Sequence, residues 1–373
     1  MMLQEHLDYL SDRNRLDLFR KAIDHAVRPG NRVLDLGCGS GVLGLLCLKA
    51  GAGSVVAIDH SAMIEVARET FGRAGYAGRT NCIKGNSHRV ELPETFDLII
   101  ADHVGYFGLD YGIVHTLQDA RIRFLKPGGT LLPKMIVPQL AAVEAPGARR
   151  RADGWQAESV PAEFHWLQQL SINSKHCFKF PGSAVLSSPA RLDAIRLCDQ
   201  QPEFFSLTTE LQIERDGEMH GLAGWFDCEL ADDIWMTNSP LAEMPIDRPQ
   251  VFLPIDDIVS VNRGDSIKAT IMMRPAEQQL AWVVDFPASG RRFSHSTWQG
   301  MLLSGSDLMR TRPERVPRLS REGQARSIVL KYCDGERNAA EIERAVLREH
   351  PELFPSSAEL SRFVYSVLAR DTE

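Results

Sequence analysis

The chain has 373 residues, of which 44% are hydrophobic and 24% charged, the balance of an ordinary globular protein. Lys+Arg number 42 against 49 Asp+Glu, a net charge of -7, so the composition offers no basic face of the kind a phosphate-tracking nucleic-acid binder needs. No apolar run approaches the ~18 residues that span a bilayer, and the first residues lack the basic-then-apolar layout of a signal peptide.

At roughly 100–200 residues per domain, two or three folding units are expected. Residues 1–30 read as a helical lead-in, with Leu10, Leu16, Phe19 and Ile23 near helical spacing. From 31 to about 140, apolar runs at 33–36, 55–58, 82–83 and 98–101 alternate with amphipathic stretches, and glycines stand at the joints. That alternation predicts a parallel, doubly wound sheet. From about 140 to 290 the runs (206–213, 221–228, 250–253, 266–272 and 280–285) are short and divided by turn residues, which predicts an antiparallel sandwich or barrel.

A polar linker with Pro313 and Pro317 is read at 310–321, and helices are read at 324–332, 339–350 and 357–369. Asn338 is the predicted N-cap of the second and Gly335 the stop of the first. The seven cysteines are scattered with no C-x-x-C pair, which predicts reduced thiols in a cytoplasmic protein, mostly packed as small hydrophobes. His165, His176 and His295 have no convincing set of partners, so no metal site is expected. The tryptophans are read as barrel core and Arg149-Arg150-Arg151 as a solvated turn.

The strongest local signal is V-L-D-L-G-C-G-S-G at 33–41. A strand runs into a glycine turn and a helix begins at about Val42, so the backbone can approach a ligand beside a helix N-terminus. The next strand ends in Asp59, placed to take both hydroxyls of a ribose. A dinucleotide fingerprint would need glycine at position 42, where Val42 stands. The pattern from Asp35 through Gly37, Gly39 and Gly41, with an acid closing the second strand, resembles class I S-adenosylmethionine (SAM) methyltransferases. Cys38 lies within that turn.

The resemblance narrows to the protein arginine methyltransferase family. H-L-D-Y-L-S-D-R-N-R at 6–15 is similar to the family's H-x-x-M-L-x-D-x-x-R helix, with Tyr9 in place of the methionine. It implies that Arg15 grips the SAM carboxylate and that His6 lines the cofactor. The segment 83–93 resembles the stretch that frames adenine, which implies adenine contact at Ser87 and His88, with His88 where the family has a glutamate. Segments around 220–227, 238–240, 250–252 and 261–265 are similar to the family's barrel strands. The resemblance covers roughly residues 5–288 and implies a Rossmann-type SAM domain, a β-barrel, and S-adenosylhomocysteine as product.

Departures are concentrated in the acceptor site. The family's hairpin reads roughly S-E-W-M-G-Y-x-x-x-Y-E, and its two glutamates pin the target guanidinium. Here A-D-H-V-G-Y-F-G-L-D-Y stands at 101–111, so Asp102 takes the first position and Tyr111 the second, with Asp110 beside it. An acceptor must orient the nucleophilic nitrogen along the sulfonium axis and manage its proton. Asp102 is the leading catalytic residue, with Tyr111 and Asp110 in support. The family's T-H-W loop falls at about Pro245-Ile246-Asp247, without its His or Trp. The chain is expected to begin past the family's Y-F-x-x-Y cap, and no dimerisation arm is recognised around 155–180. A compact acidic pocket would favour a cationic acceptor.

Residues 327–342 are similar to the helical half of PqqD-like winged-helix modules, which implies leader-peptide recognition; a helical cap packed on the barrel is the alternative. The expected organisation is a helix plus SAM-binding domain at 1–135, a β-barrel substrate domain at 136–305, and a linker with a PqqD-like domain at 306–373. The expected function is a SAM-dependent N-methyltransferase acting on an arginine of a peptide or protein, including a leader-guided precursor peptide. A methyltransferase of free arginine or another small guanidine or amine stays open, as does a non-catalytic SAM-binding scaffold. The expected partners are a peptide or protein, through residues 320–373, and a second copy of the chain, with neither nucleic acid nor membrane.

Overall fold

The computed structural model describes residues 3–302, 305, 314–354 and 356–372. Two compact units are present, Met1–Met301 and Leu302–Glu373. The first opens with helices α1 (Leu3–Ser11) and α2 (Arg13–Ala26). Asp12 caps α2 by accepting from the Arg15 N–H at 3.0 Å, and α2 buries Phe19, Ala22 and Ile23.

Five strands then build the parallel sheet: β1 (Arg32–Leu36), β2 (Ser54–Asp59), β3 (Thr80–Lys84), β4 (Phe96–Ala101) and β5 (Leu125–Leu132), in the order β3-β2-β1-β4-β5. The runs V-L-D-L in β1 and L-I-I-A in β4 are buried along their length, as a sheet covered by helices requires. Helices α3 (Val42–Lys49), α4 (Met63–Arg73) and α5 (Ile113–Phe124) cross between the strands.

The antiparallel half begins at β6 (Met135–Val143), followed by α6 (Pro146–Asp153), α7 (Gln168–Ile172), β7 (His176–Phe178), β8 (Ala190–Arg191), β9 (Ile195–Arg196), β10 (Phe205–Gln212), β11 (Gly217–Ala231) and β12 (Ile234–Thr237). It ends with β13 (Gln250–Val261), β14 (Ser266–Arg274), β15 (Gln279–Phe286) and β16 (Arg291–Ser296). These strands form two sheets rather than one closed ladder. One runs β7-β13-β11-β6-β8, with β12 on β11 and β9 on β6, and the other β10-β14-β15-β16. The divide expected at 135/136 marks the change from parallel to antiparallel pairing, but not a break between compact units. A continuous apolar core runs across it, from Val33, Ile99 and Phe107 to Ile136, Leu222 and Phe226.

Several local expectations are corrected. Trp225 and Trp282 are buried, whereas Trp155, Trp166, Trp235 and Trp298 are exposed, so the tryptophans are not uniformly core. Arg149 lies on α6, buried, donating to the carbonyls of Ile255 and Asp256 and pairing with Asp153, which is no solvated turn. Cys38, Cys47 and Cys228 are buried free thiols; Cys198 is exposed.

The second unit holds helices Arg321–Lys331, Ala339–Glu349 and Ser357–Asp371, packed around Val329, Ile342, Val346, Leu360, Val364 and Val367. Asn338 and Glu341 form a reciprocal capping box. Gly335, at φ +81°, follows the end of the first helix. Among the described residues of this unit there is no strand to supply the wing of a winged helix. Residues 310–313 of the expected linker, Pro313 included, lie outside the described residues. Among the described residues, no helix is long and apolar enough to cross a membrane.

Candidate active site

Leu36 pairs with Ile58 on one side and Ala101 on the other, so the carboxyl ends of β1, β2 and β4 lie together. Each strand leads into a segment with chemistry: the glycine turn after Leu36, Asp59 at the end of β2, and the 102–111 loop after Ala101. In open α/β sheets this edge is where ligands sit.

Gly37 has φ +61°, and a Cβ there would fall 1.9 Å from the His103 ring, so glycine alone lets the turn pass against that imidazole. Gly39 faces His6 and donates its N–H to Oδ2 of Asp59 at 2.9 Å, while Oδ1 of Asp59 accepts from the N–H and hydroxyl of Ser61. Burial would raise the Asp59 pKa; the hydrogen bonds from Ser61 and Gly39 outweigh it and hold the carboxyl below its ordinary value. His6, Gly37, Cys38, Gly39 and Asp59 line one cleft with Arg15, Asp102 and Tyr111.

Four of the expected cofactor residues do not line that cleft. Asp35 is fully buried behind the turn, accepts from the Gly44 N–H at 2.8 Å, and is pushed up to about 7 by burial. Gly41 is where a Cβ would press 3.0 Å from Ala67 and Phe71, so its smallness serves helix packing. Ser87 offers its carbonyl to Arg123 at 2.6 Å. His88 stands 3.4 Å from Asp119 and stacks on His115, with ring centroids 4.5 Å apart.

The acceptor side of the cleft is organised around Asp102. Its Oδ2 takes Nε of Arg15 at 2.6 Å, Nη2 of the same guanidinium, and Nη2 of Arg248 at 3.2 Å. Its Oδ1 is buried and has no hydrogen-bond partner among the described residues. Burial acts to raise the Asp102 pKa, but the Arg15 and Arg248 guanidiniums prevail and keep the carboxylate below its usual range. The Tyr9 ring lies 5.4 Å from Cζ of Arg15 and 5.3 Å from Cζ of Arg248, a cation–π contact to each. The site is therefore not a compact acidic pocket, since its central carboxylate already carries two cations.

Asp110, proposed as a supporting acceptor, is 2% exposed and turned into its own loop. Its Oδ1 accepts from the N–H groups of Tyr106 and Phe107 at 3.0 and 2.9 Å, and its Oδ2 lies 3.3 Å from Lys175. Tyr111 is 43% exposed, with its ring edge-on to Tyr106 at 5.5 Å. Both tyrosines line the cleft.

Arg248 was not anticipated from the sequence. Its only signal was its place one residue after the departed T-H-W loop. Asp12 fixes it from a distance: one carboxylate oxygen caps α2 at Arg15, and the other accepts from the Asp247 N–H at 2.7 Å. Asn238 ties the same region to the hairpin by donating to the carbonyls of Tyr106 and Pro249. His103 was also missed; its burial lowers its pKa, so the ring over Gly37 is neutral at pH 7.

Residues 33–129 match the family described as "Methyltransferase domain", and residues 154–286 match "Arginine methyltransferase oligomerization subdomain". The second match contains the 155–180 segment in which no arm was recognised; α7 and short turns of 3-10 helix there present no periodic pattern to read. The chain is 29% identical over 285 residues to protein arginine N-methyltransferase 1 of Schizosaccharomyces pombe, covering 73% of this chain and 82% of the relative. It is 28% identical over 235 residues to probable protein arginine N-methyltransferase 6 of Arabidopsis thaliana, 61% of this chain but only 54% of that protein. In fold, it matches a chain of the Trypanosoma brucei PRMT1 enzyme-prozyme heterotetrameric complex with AdoHcy. The TM-score is 0.68 at 20% identity, over 78% of this chain and 96% of the other. By these matches the chain is similar to the protein arginine methyltransferases in both its SAM-domain half and its antiparallel half.

Proposed function

We propose that the protein is a SAM-dependent N-methyltransferase acting on an arginine of a peptide or protein. The observation that carries this reading is the convergence, in one cleft, of the glycine turn, Asp59, Arg15 and an Asp102 carboxylate with one buried oxygen free. The cleft suits the cofactor. The turn allows close backbone approach, His6 Nε2 is buried with no partner among the described residues, and Arg15 offers a guanidinium matched to a carboxylate. Asp59 is the residue we assign to the ribose and Arg15 to the amino-acid end. When bound, SAM supplies an electrophilic methyl sulfonium.

The chain's own residues then position the acceptor. Asp102 is ionised and strongly paired, so it is a weak base and a good orienting acceptor; its free Oδ1 takes an N–H of the incoming nitrogen. Tyr106 and Tyr111 flank the approach, and Asp110 keeps the loop in shape rather than touching the acceptor. The relatives' names and the match to the arginine methyltransferase oligomerization subdomain support arginine as the acceptor. Incubating the full chain with SAM and peptides containing arginine, peptides with Arg replaced, and free arginine tests it by mass spectrometry. Methylation of the Arg-free peptide alone would overturn the assignment.

One observation favours a second reading, a cofactor-binding scaffold without turnover: Oδ2 of Asp102 is already held by two guanidiniums. S-adenosylhomocysteine formed in proportion to acceptor excludes the scaffold. The unit 302–373 is the part we assign to peptide recruitment, on its PqqD-like helical stretch and its own packed core. Loss of peptide methylation, with cofactor binding kept, on removing that unit is the expected outcome.

A further inference from the structure

Asp102 holds more positive charge than one carboxylate needs. Arg15 and Arg248 reach the same oxygen from separate elements, α2 and the turn before β13, and both side chains are about 5% exposed. Removing one cation from a buried ion pair strands a charge, which is costly; removing one of two does not. Among the described residues lining the cleft, Arg15 and Arg248 are the only guanidinium or ammonium side chains. The carboxylate of an amino-acid cofactor entering this cleft must therefore compete with Asp102 for one of them. Arg15 is the one that makes way. It comes from α2, beside His6 and the glycine turn, and its other bond is to the Tyr9 carbonyl of α1 at 3.2 Å, whereas Arg248 reaches the carbonyl of Gly105 inside the acceptor loop and is thereby tied to the acceptor side.

We propose that Arg248 is the standing counter-ion of Asp102 and Arg15 the exchangeable one. Arrival of the cofactor carboxylate draws Arg15 away, and Arg248 keeps Asp102 ionised with Oδ1 free for the acceptor. This rests on the SAM-binding reading above and deepens it by giving the site a positioning residue outside both family motifs. The other groups facing Asp102 cannot take over the charge. Tyr9 of α1, the adjacent His103 and Cys228 of β11 are neutral near pH 7, with the Tyr9 and Cys228 pKa values raised and that of His103 lowered. Without Arg248, cofactor binding would leave Asp102 with no cation, and the carboxylate would take up a proton as Arg15 leaves.

The test is calorimetric titration of S-adenosylhomocysteine into wild type, Arg248→Gln and Arg248→Lys at pH 7. Each titration is run in two buffers of different ionisation enthalpy, which counts the protons exchanged. Arg248→Gln is expected to bind about tenfold or more weakly, within the usual range of site-to-site coupling, and to take up close to one proton more per ligand than wild type. Arg248→Lys restores wild-type proton exchange. If Arg248→Gln folds poorly, the Asp102→Asn/Arg248→Gln pair carries the test. With no carboxylate left to strand, it should bind no more weakly than Asp102→Asn alone, and weaker binding by the pair counts against the proposal. A folded Arg248→Gln with wild-type affinity and proton count overturns it and leaves the SAM reading intact. Absence of ligand binding by wild type overturns both.

Discussion

Nη2 of Arg248 lies 3.2 Å from Oδ2 of Asp102, a residue 146 positions earlier in the chain. The contact joins the loop after the last buried strand of the Rossmann-type sheet to a turn in the antiparallel half. It makes the charge of Asp102 a property of both halves, so substitutions here combine a chemical and a structural effect.

Asp102→Asn removes the carboxylate between two buried guanidiniums. Breaking a buried pair from one side costs about 3–5 kcal/mol, and the amide oxygen recovers part of this by hydrogen bonding. A melting temperature lowered by several degrees is expected, together with loss of turnover and retained cofactor binding. Thermal denaturation and calorimetry on one preparation separate the two effects, and full activity in the variant would remove Asp102 from the acceptor role.

Asp59→Ala deletes the acceptor of three hydrogen bonds, from Gly39, the Ser61 N–H and the Ser61 hydroxyl. The glycine turn loses its tie to β2, and the proposed ribose contact goes with it. Binding of S-adenosylhomocysteine is expected to fall at least about 100-fold, the scale of two to three kcal/mol. Unchanged affinity would place the ribose elsewhere.

Asp35 gives a pH signature with the opposite sign from most carboxylates. Its folded pKa, about 7, lies above the ordinary value of 3.8, burial being the main cause. Its protonated form is therefore favoured by folding. The associated stability is full below pH 4 and is lost as pH rises toward 7. Asp35→Asn keeps an oxygen for the Gly44 N–H and removes that loss. Relative to wild type, the variant should gain stability between pH 4 and 8, read from denaturant midpoints; a flat difference across that range would rule the account out.

Gly37→Ala sets a methyl group onto the His103 ring and forces an alanine to φ +61°. Destabilisation of about 1–3 kcal/mol is expected, with loss of cofactor affinity. The pair Gly37→Ala/His103→Ala should recover the part due to the clash and keep the part due to the backbone. Full recovery would mean that the positive φ costs nothing here.

How far the sequence speaks depends on how local each feature is. The glycine turn, Asp59 and four of the five parallel strands are written in contiguous runs, and they stand where the pattern placed them; β5 was not read, because Pro127, Gly128 and Gly129 interrupt its apolar run. Asn338 was readable as a cap because capping is settled within three residues. The Asp102–Arg248 pair was not, since no periodicity or motif links positions so far apart, and a lone arginine after an altered loop carries no signal of its own. Asp35 and Gly41 were read as ligand contacts because motif position does not say which face of a turn a residue occupies. The 155–180 segment escaped because its short helical turns leave no repeating apolar spacing.

Asp110 holds the N–H groups of Tyr106 and Phe107, and Gly105 beside them is so close that a Cβ would meet that carboxylate at 2.2 Å. The loop's shape is therefore settled at folding, before any acceptor arrives. The conformational entropy of arranging Asp102, Tyr106 and Tyr111 is lost once, during folding, and not again at each encounter. Acceptor recognition then turns on the fit of a ready-made mould, and affinity differences among acceptors should appear mainly in how fast they leave.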